Sequence, residues 1–223
     1  YPGAEEDVLH DISFTAEPGK TTAFIGSTGC GKSTLVNLIP RFYDVTDGKI
    51  TIDGKDIRNV SQHELREKLG YVPQKAVLFS GDIASNILYG NPDGSEAEMT
   101  EAATIAQATE FIEQKKKKYK STISQGGSNV SGGQKQRLSI ARAIAKHPDI
   151  YIFDDSFSAL DYKTDATLRA KLKEKTSEST VMIVAQRIST ILHADQIIVL
   201  DDGQIVGKGT HKELLKNCEA YYQ

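Results

Sequence analysis

The stretch that most constrains the fold of this chain is TTAFIGSTGCGKSTLVNLIP, residues 21–40. Its first six residues, TTAFIG, are typical of a buried strand, and its last ten predict a helix that stops at Pro40, because proline cannot continue a helix. Between them lies GSTGCGKS, Gly26 to Ser33, whose glycines let the backbone wrap a phosphate group with N–H donors. We therefore predict a strand, a phosphate-binding loop and a helix in succession.

Two side chains of this loop and one aspartate further along point to a phosphate ligand with a metal ion. Lys32 is placed to reach β- and γ-phosphates, and the hydroxyl of Ser33 is a suitable ligand for Mg²⁺. The apolar strand IYIFD ends at Asp154, the expected position of a carboxylate that holds the hydration shell of such a metal. A second aspartate, Asp155, follows it directly, and its role has to be explained.

Turn and capping signals predict the elements around this unit. Asp-Gly pairs at 53–54 and 202–203 predict hairpin turns. Ser61, Ser95 and Thr210 are each followed three residues later by glutamate, which predicts helix starts. Gly70 is expected to end the helix that starts at Ser61, and YVPQ to return to a strand.

The order of these elements predicts an α/β core with a helical lobe inserted into it. Helical patterns dominate from about residue 75 to 146, whereas strand patterns resume at 150–153, 180–185 and 197–200. We predict one domain over 1–223, with a core formed by 1–74 and 147–223 and a helical subdomain formed by 75–146.

Composition limits the partners that this chain is expected to have. With 27 Lys and Arg against 30 Asp and Glu, it lacks the basic surface of a nucleic-acid-binding protein, so no nucleic acid partner is expected. No apolar run approaches the ~20 residues that span a bilayer, and two cysteines without disulfide or zinc spacing favour a reducing compartment. The lysine run at 115–118 is interpreted as a solvated helix end.

A second anion-binding pattern occurs in NVSGGQKQRLSIARA, Asn129 to Ala143. SGGQ at the start of a helix offers free N–H groups and a serine hydroxyl to an anion. Together with the phosphate loop, this stretch strongly resembles the nucleotide-binding domain of ATP-binding cassette (ABC) transporters, over nearly the whole chain. The resemblance implies a P-loop NTPase core with a mainly parallel sheet, a small antiparallel β subdomain and an inserted helical subdomain.

The resemblance also implies the cofactors ATP and Mg²⁺ and a head-to-tail dimer with a second nucleotide-binding domain. Each ATP would lie between one domain's phosphate loop and the other domain's SGGQ segment. The residues implied for the chain's own nucleotide are Tyr1 (stacking on adenine), Gly26, Ser27, Thr28, Gly29, Cys30, Gly31, Lys32, Ser33 and Thr34. Those implied for the partner's nucleotide are Ser131, Gly132, Gly133 and Gln134, and those for the metal are Ser33, Gln74 and Asp154.

The segment LFSGDIASNI, Leu78 to Ile87, resembles the exporter branch of the family. The resemblance implies the transmembrane domains of an exporter as partners and a location on the cytoplasmic side of the cell membrane. In the loop before SGGQ the family commonly has an acidic residue that faces the transmembrane domains, whereas this chain has Gln125 there.

The resemblance implies four residues in catalysis, namely Asp155, Gln186, Gln74 and Lys32. Two of them, Asp155 and Gln186, depart from the family pattern. In the family the residue after the metal aspartate is normally a glutamate that polarises water, and a histidine stands at the position of Gln186. Aspartate is one methylene shorter than glutamate, so its carboxylate is withdrawn by more than about 1 Å, and a misplacement of that size can cost about 10²-fold in rate. At position 186, glutamine cannot become cationic as histidine can. Together these departures resemble the slow half of heterodimeric exporters.

Three alternatives remain open at this stage. One is an ATP-gated regulatory clamp that never hydrolyses ATP, and another is a homodimeric exporter domain with normal turnover. The third is an ABC protein of translation or DNA repair, against which the exporter-like LFSGDIASNI argues. These residues do not specify the transported substrate, because the resemblance implies that substrate specificity lies in membrane segments.

Overall fold

The computed structural model describes residues 1–222 and divides the chain into two compact units. The first unit contains Tyr1–Leu69 and the chain from Glu178 onward, and the second contains Gly70–Ser177. No helix among residues 1–222 is long and apolar enough to cross a membrane.

The strands of residues 1–222 are β1 (Thr21–Gly26), β2 (Thr51–Ile52), β3 (Lys55–Asp56), β4 (Leu69–Val72), β5 (Gly81–Asp82), β6 (Thr122–Ile123), β7 (Ile150–Asp154), β8 (Thr180–Val184), β9 (Gln196–Asp201) and β10 (Gln204–Gly209).

The α-helices of the same residues are α1 (Lys32–Asn37), α2 (Gln62–Glu67), α3 (Ile83–Ile87), α4 (Glu96–Ile105), α5 (Thr109–Glu113), α6 (Gly132–Ala145), α7 (Tyr162–Lys175), α8 (His211–Asn217) and α9 (Glu219–Tyr222). Short 3₁₀ turns lie at Ile57–Asn59, Lys118–Lys120, Gln125–Gly127 and Ile188–Thr190.

The first unit is built on a sheet with the strand order β10-β9-β1-β8. β1 pairs in parallel with both β8 and β9, and β10 returns antiparallel to β9. The middle residues of these strands are mainly apolar because a parallel strand is covered on both faces. Residues fully shielded from solvent in this unit include Ala23, Phe24, Val36, Ile197 and Ile198.

The second unit contains the neighbouring strands β7 and β4 and the five helices α3 to α7. Its apolar core includes Ile87, Ile112, Leu138, Ile152 and Phe153, all completely buried. β5 and β6 form a two-residue antiparallel pair within it, with Gly81 opposite Ile123.

The α/β fold class is confirmed, with a mainly parallel arrangement and small antiparallel additions. Both hairpin turns are confirmed too, since β2 pairs with β3 and β9 with β10. Asp53 and Gly54 have φ angles of 51° and 79°, as a two-residue turn of this kind requires. The predicted domain boundaries stay a prediction.

The predicted helix starts are confirmed in detail, and one predicted helix end is wrong. Ser61, Ser95 and Thr210 each cap a helix within a reciprocal capping box. Gly70, expected to end α2, instead lies inside β4, because α2 already ends at Glu67. The β5–β6 pair was not foreseen in the helical block, since two-residue strands carry no periodic pattern.

Candidate functional site

The loop between β1 and α1 has the backbone shape that its glycines predict. Gly29 and Gly31 adopt left-handed conformations, with φ of 79° and 104°. Gly31 is the N-cap of α1 and supplies no side-chain acceptor to the first turn of the helix. At Gly26 a Cβ atom would lie 2.2 Å from the carbonyl oxygen of Leu200, so only glycine fits there. The loop therefore presents backbone N–H groups rather than side chains.

Lys32 lies inside this loop with its side chain folded back. Its Nζ donates to the carbonyl oxygens of Gly26 at 2.5 Å and Ser27 at 3.1 Å, and it lies 3.8 Å from Sγ of Cys30. The side chain is only 8% exposed. The two carbonyl oxygens are neutral and place no carboxylate beside the ammonium, so the loop fits an anionic phosphate group. In the same loop Ser27, Thr28 and Ser33 are exposed.

Gln186 lies at the same sheet edge as the phosphate loop, within the first unit. Phe24 of β1 is in register with Val184 of β8, and the N–H of Ala185 donates to the carbonyl oxygen of Phe24 at 3.1 Å. Two parallel strands in register end at the same edge, and Gln186 follows β8 as the loop follows β1. Its side chain is exposed.

Tyr1 lies against the start of α1. Its hydroxyl shares a hydrogen bond of 2.5 Å with Oγ1 of Thr34, and its ring packs edge-on against Tyr43 with centroids 4.8 Å apart. About half of the side chain, 51%, is exposed. One face of the ring is thus available for a flat ligand next to the phosphate loop.

In the second unit, Asp154 and Asp155 follow one another at the end of β7. They are 5% and 9% exposed, so both carboxylates are buried. Asp154 accepts a hydrogen bond from Tyr71 of β4. Asp155 accepts one from the side-chain amide of Gln74 at 3.3 Å. Gln74, expected at a metal site, is therefore brought together with the second aspartate.

The backbone at Asp155 adopts the left-handed conformation, with φ of 49°. This region is unfavourable for residues with a Cβ atom, but aspartate and asparagine tolerate it better than other side chains. The hydroxyl of Ser158 donates to the carbonyl oxygen of Asp155 at 3.1 Å and stabilises the turn. Strain at a buried acidic residue is a common feature of functional sites.

The SGGQ segment begins α6 in the second unit. Ser131 is the N-cap, its hydroxyl accepts from the N–H of Gln134 at 3.1 Å, and the Gln134 side chain accepts from the N–H of Ser131 at 3.2 Å. A Cβ atom added to Gly132 would meet nothing within 4 Å. The helix start is thus rigid and open to solvent, as a surface that receives a ligand from another molecule would need to be.

The residues predicted from the sequence fall into two groups. The first unit holds Tyr1, Gly26 to Thr34 and Gln186, and the second holds Gln74, Ser131 to Gln134, Asp154 and Asp155. Sequence reasoning missed Tyr71, and the available signal was a hydroxyl in the otherwise apolar strand LGYV. It also missed the backbone conformation of Asp155, for which the letters give no signal.

Parallel strands that lead into a phosphate loop, with a buried aspartate ending another strand, define a nucleotide-binding fold of the P-loop NTPase class. A family model described as "ABC transporter" matches residues 9–158. The chain belongs to the ABC transporter family.

Individual relatives are similar over nearly the whole chain. An "Uncharacterized ABC transporter ATP-binding protein" of Mycobacterium bovis is 51% identical over 99% of this chain. A "Putative multidrug export ATP-binding/permease protein" of Staphylococcus aureus is 45% identical over 99% of it. A solved structure of a bacterial Atm1-family ABC exporter with ATP bound has a TM-score of 0.94 and 40% identity, covering 98% of this chain. The chain spans 38% of the length of each of these proteins.

Proposed function

We propose that this chain is the ATP-binding and ATP-hydrolysing motor domain of a membrane exporter. The observation that carries the proposal is the phosphate loop, with Lys32 buried at its centre and no side chain capping α1. The N–H groups of the loop and the Lys32 ammonium hold the phosphates of ATP. Tyr1, tethered to Thr34, offers its exposed ring to the adenine.

Mg²⁺ accompanies the nucleotide in this proposal. The residues that hold it are Ser33, through its hydroxyl, Asp154, through its carboxylate, and Gln74, through its side-chain oxygen. Their oxygen atoms are the ligand type that Mg²⁺ prefers. When bound, the metal neutralises charge on the phosphates and so lowers the barrier to transfer of the terminal phosphoryl group.

Turnover at the chain's own site is proposed to be slow. Asp155 is the group that would orient and polarise the attacking water. Its side chain is one methylene shorter than that of glutamate, and its carboxylate accepts a hydrogen bond from Gln74. Gln186 can donate a hydrogen bond to the terminal phosphate, but it cannot provide the positive charge of an imidazolium. Both features weaken catalysis more than binding.

The proposed partner is a second nucleotide-binding domain, bound head to tail. The open start of α6 supports this, because Ser131, Gly132, Gly133 and Gln134 are then available to ATP held by the partner. If the partner carries the usual glutamate and histidine, its site, completed by this chain, is the fast one. The chain would then form the slow half of a heterodimer.

Coupling to transport is proposed from the relatives. One is named as an ATP-binding/permease protein for multidrug export, and a solved structure is of an exporter. We infer that this chain works with exporter transmembrane domains on the cytoplasmic side of the cell membrane. Because it spans 38% of those proteins, the transport function belongs to a larger assembly.

A regulatory clamp that binds ATP without hydrolysing it is the second candidate. The contact between Gln74 and Asp155 favours it, since that contact occupies both side chains expected to handle water. A homodimeric exporter domain with normal turnover is the third, and it requires Asp155 to be an adequate base.

One experiment separates these candidates. ATP binding by calorimetry and steady-state phosphate release are measured for the wild type, for Lys32→Ala and for an Asp155→Glu, Gln186→His double variant. We expect the wild type to bind Mg-ATP and to release phosphate slowly, and Lys32→Ala to lose ATP binding. The double variant should release phosphate about 10-fold faster than the wild type, or more. Brisk release by the wild type would support the homodimeric exporter. A double variant that binds but stays inactive would support the clamp.

A further inference from the structure

Tyr71 contacts the buried aspartate at the end of β7. It lies in β4, next to β7, and its hydroxyl donates a hydrogen bond to the carboxylate of Asp154. A phenol hydroxyl is neutral at physiological pH, so Tyr71 makes this hydrogen bond without adding a charge next to Asp154.

Side-chain hydrogen bonds of Ser156 and Gln74 also join the end of β4 and the residues after it to the β7 turn. The hydroxyl of Ser156, which is completely buried, donates to the carbonyl oxygen of Val72 at 2.8 Å. The Gln74 amide donates to Asp155. The Ser156 bond fixes the backbone of the turn, whereas the Tyr71 bond acts on the side chain of Asp154.

The chemistry of the Tyr71 bond suits a carboxylate that has to receive a cation. Asp154 is 5% exposed, so its orientation is set by protein contacts more than by water. An arginine or lysine at position 71 would fix the carboxylate but would also cancel its charge and repel a metal. A neutral hydroxyl fixes the orientation and leaves the negative charge in place.

We propose that Tyr71 is a positioning residue, whose hydroxyl holds the Asp154 carboxylate in the orientation that receives the Mg²⁺ bound with ATP. This inference rests on the proposed function, because it requires that the chain binds Mg-ATP. Tyr71 touches neither nucleotide nor reacting atoms in this scheme, and it acts through Asp154 alone.

The test replaces Tyr71 by phenylalanine, which removes one oxygen atom and keeps the ring. Tyr151→Phe is the control, because it removes the same oxygen atom from a buried tyrosine on β7 itself, at 2% exposure, whereas Tyr71 is half-buried. ATP binding is titrated for each protein in EDTA and across a range of Mg²⁺ concentrations. In EDTA we expect Tyr71→Phe to bind ATP as tightly as the wild type does. Mg²⁺ increases the affinity for ATP, and the Mg²⁺ concentration that gives half of this increase should be about 10-fold higher for Tyr71→Phe than for the wild type. Tyr151→Phe should match the wild type.

An Asp154→Asn background gives a second, independent readout. If Tyr71 acts through Asp154, adding Tyr71→Phe to Asp154→Asn produces no further change in the Mg²⁺ dependence. The proposal is overturned if Tyr71→Phe causes a further loss in the Asp154→Asn background, or if the Mg²⁺ dependence of Tyr71→Phe equals that of the wild type. It is also overturned if the Tyr71→Phe protein is unfolded or binds ATP weakly in EDTA. Failure of the wild type to bind ATP at all would instead refute the proposed function.

Discussion

At the scale of single residues, the second aspartate of the β7 turn is defined by its backbone as much as by its carboxylate. The φ angle of 49° at Asp155 is accessible to aspartate at a smaller cost than to most residues. A glutamate in the same place has a longer side chain in a site that is only 9% exposed. In this chain, the left-handed backbone and the burial therefore both favour the shorter side chain at position 155.

We predict that Asp155→Glu lowers the free energy of unfolding by about 1 kcal/mol, because of the left-handed backbone and the added methylene. Urea denaturation measures the change. Asp201→Glu, at the exposed end of β9, is the control and should stay within about 0.5 kcal/mol of the wild type. Equal stability of both variants would mean that the turn does not select aspartate.

At the scale of elements, Arg142 joins α6 to the segment around α3. Its guanidinium donates to the carbonyl oxygens of Val77 at 2.8 Å and Asn86 at 3.0 Å, and to the Asn86 side chain at 2.9 Å. It also stacks over the ring of Phe79 at 4.9 Å. Burial lowers the pKa of Arg142 to about 10, which still leaves it charged at neutral pH.

We predict that Arg142→Lys destabilises the protein by about 2 kcal/mol, because an ammonium cannot reproduce the planar fork or the stacking. Chemical denaturation is the measurement. The control is Lys20→Arg, at an ion pair with Glu17 whose side chains are 57% and 60% exposed, where the change should be within about 0.5 kcal/mol. If both substitutions cost the same, the multiple bonds of Arg142 contribute no more than a surface pair.

The start of α4 provides a pH-dependent contribution to stability. The N–H and hydroxyl of Ser95, followed by His147, lower the pKa of Glu98 below its ordinary value of 4.5. Since the folded-state pKa is depressed, the stabilisation is present above the unfolded-state pKa and is lost as the pH falls through the folded-state pKa.

We predict that Glu98→Gln is less stable than the wild type at pH 7 and that the difference shrinks as the pH falls below 4.5 and through the lower folded-state pKa of Glu98. Thermal unfolding across this pH range measures it. The same substitution at Glu174, exposed on α7, should show no such pH trend. A difference that stays constant down to acid pH would exclude the charge of Glu98 as its cause.

Elements with local signals were predicted well, and long-range contacts were not. Short sequence patterns encode the phosphate loop, both Asp-Gly turns and the capping boxes. Their positions can therefore be predicted from the sequence. The hydrogen bond of Tyr71 to Asp154 and that of Gln74 to Asp155 each join residues that are far apart in the sequence. Such features need the folded chain, because no local pattern specifies them.

At the scale of the whole molecule, slow turnover and head-to-tail pairing make a joint prediction. If the chain's own site hydrolyses ATP slowly, two copies with Mg-ATP should form a persistent dimer without any catalytic substitution. Gly132 is the position at which to test this, because a side chain there meets nothing of its own chain within 4 Å. Gly132→Asp therefore places a negative charge where the partner's phosphates would lie and leaves the monomer intact.

We predict that sedimentation analysis shows an ATP-dependent dimer for the wild type and only monomers for Gly132→Asp and for Lys32→Ala. Gly132→Asp should still bind ATP in its own loop, because that loop is unchanged. Mixing the two variants should restore some dimer, since a Gly132→Asp copy contributes an intact loop and a Lys32→Ala copy contributes an intact SGGQ segment. A mixture that stays monomeric while the wild type dimerises would contradict head-to-tail pairing, because any arrangement with composite sites leaves one intact site in the mixed pair.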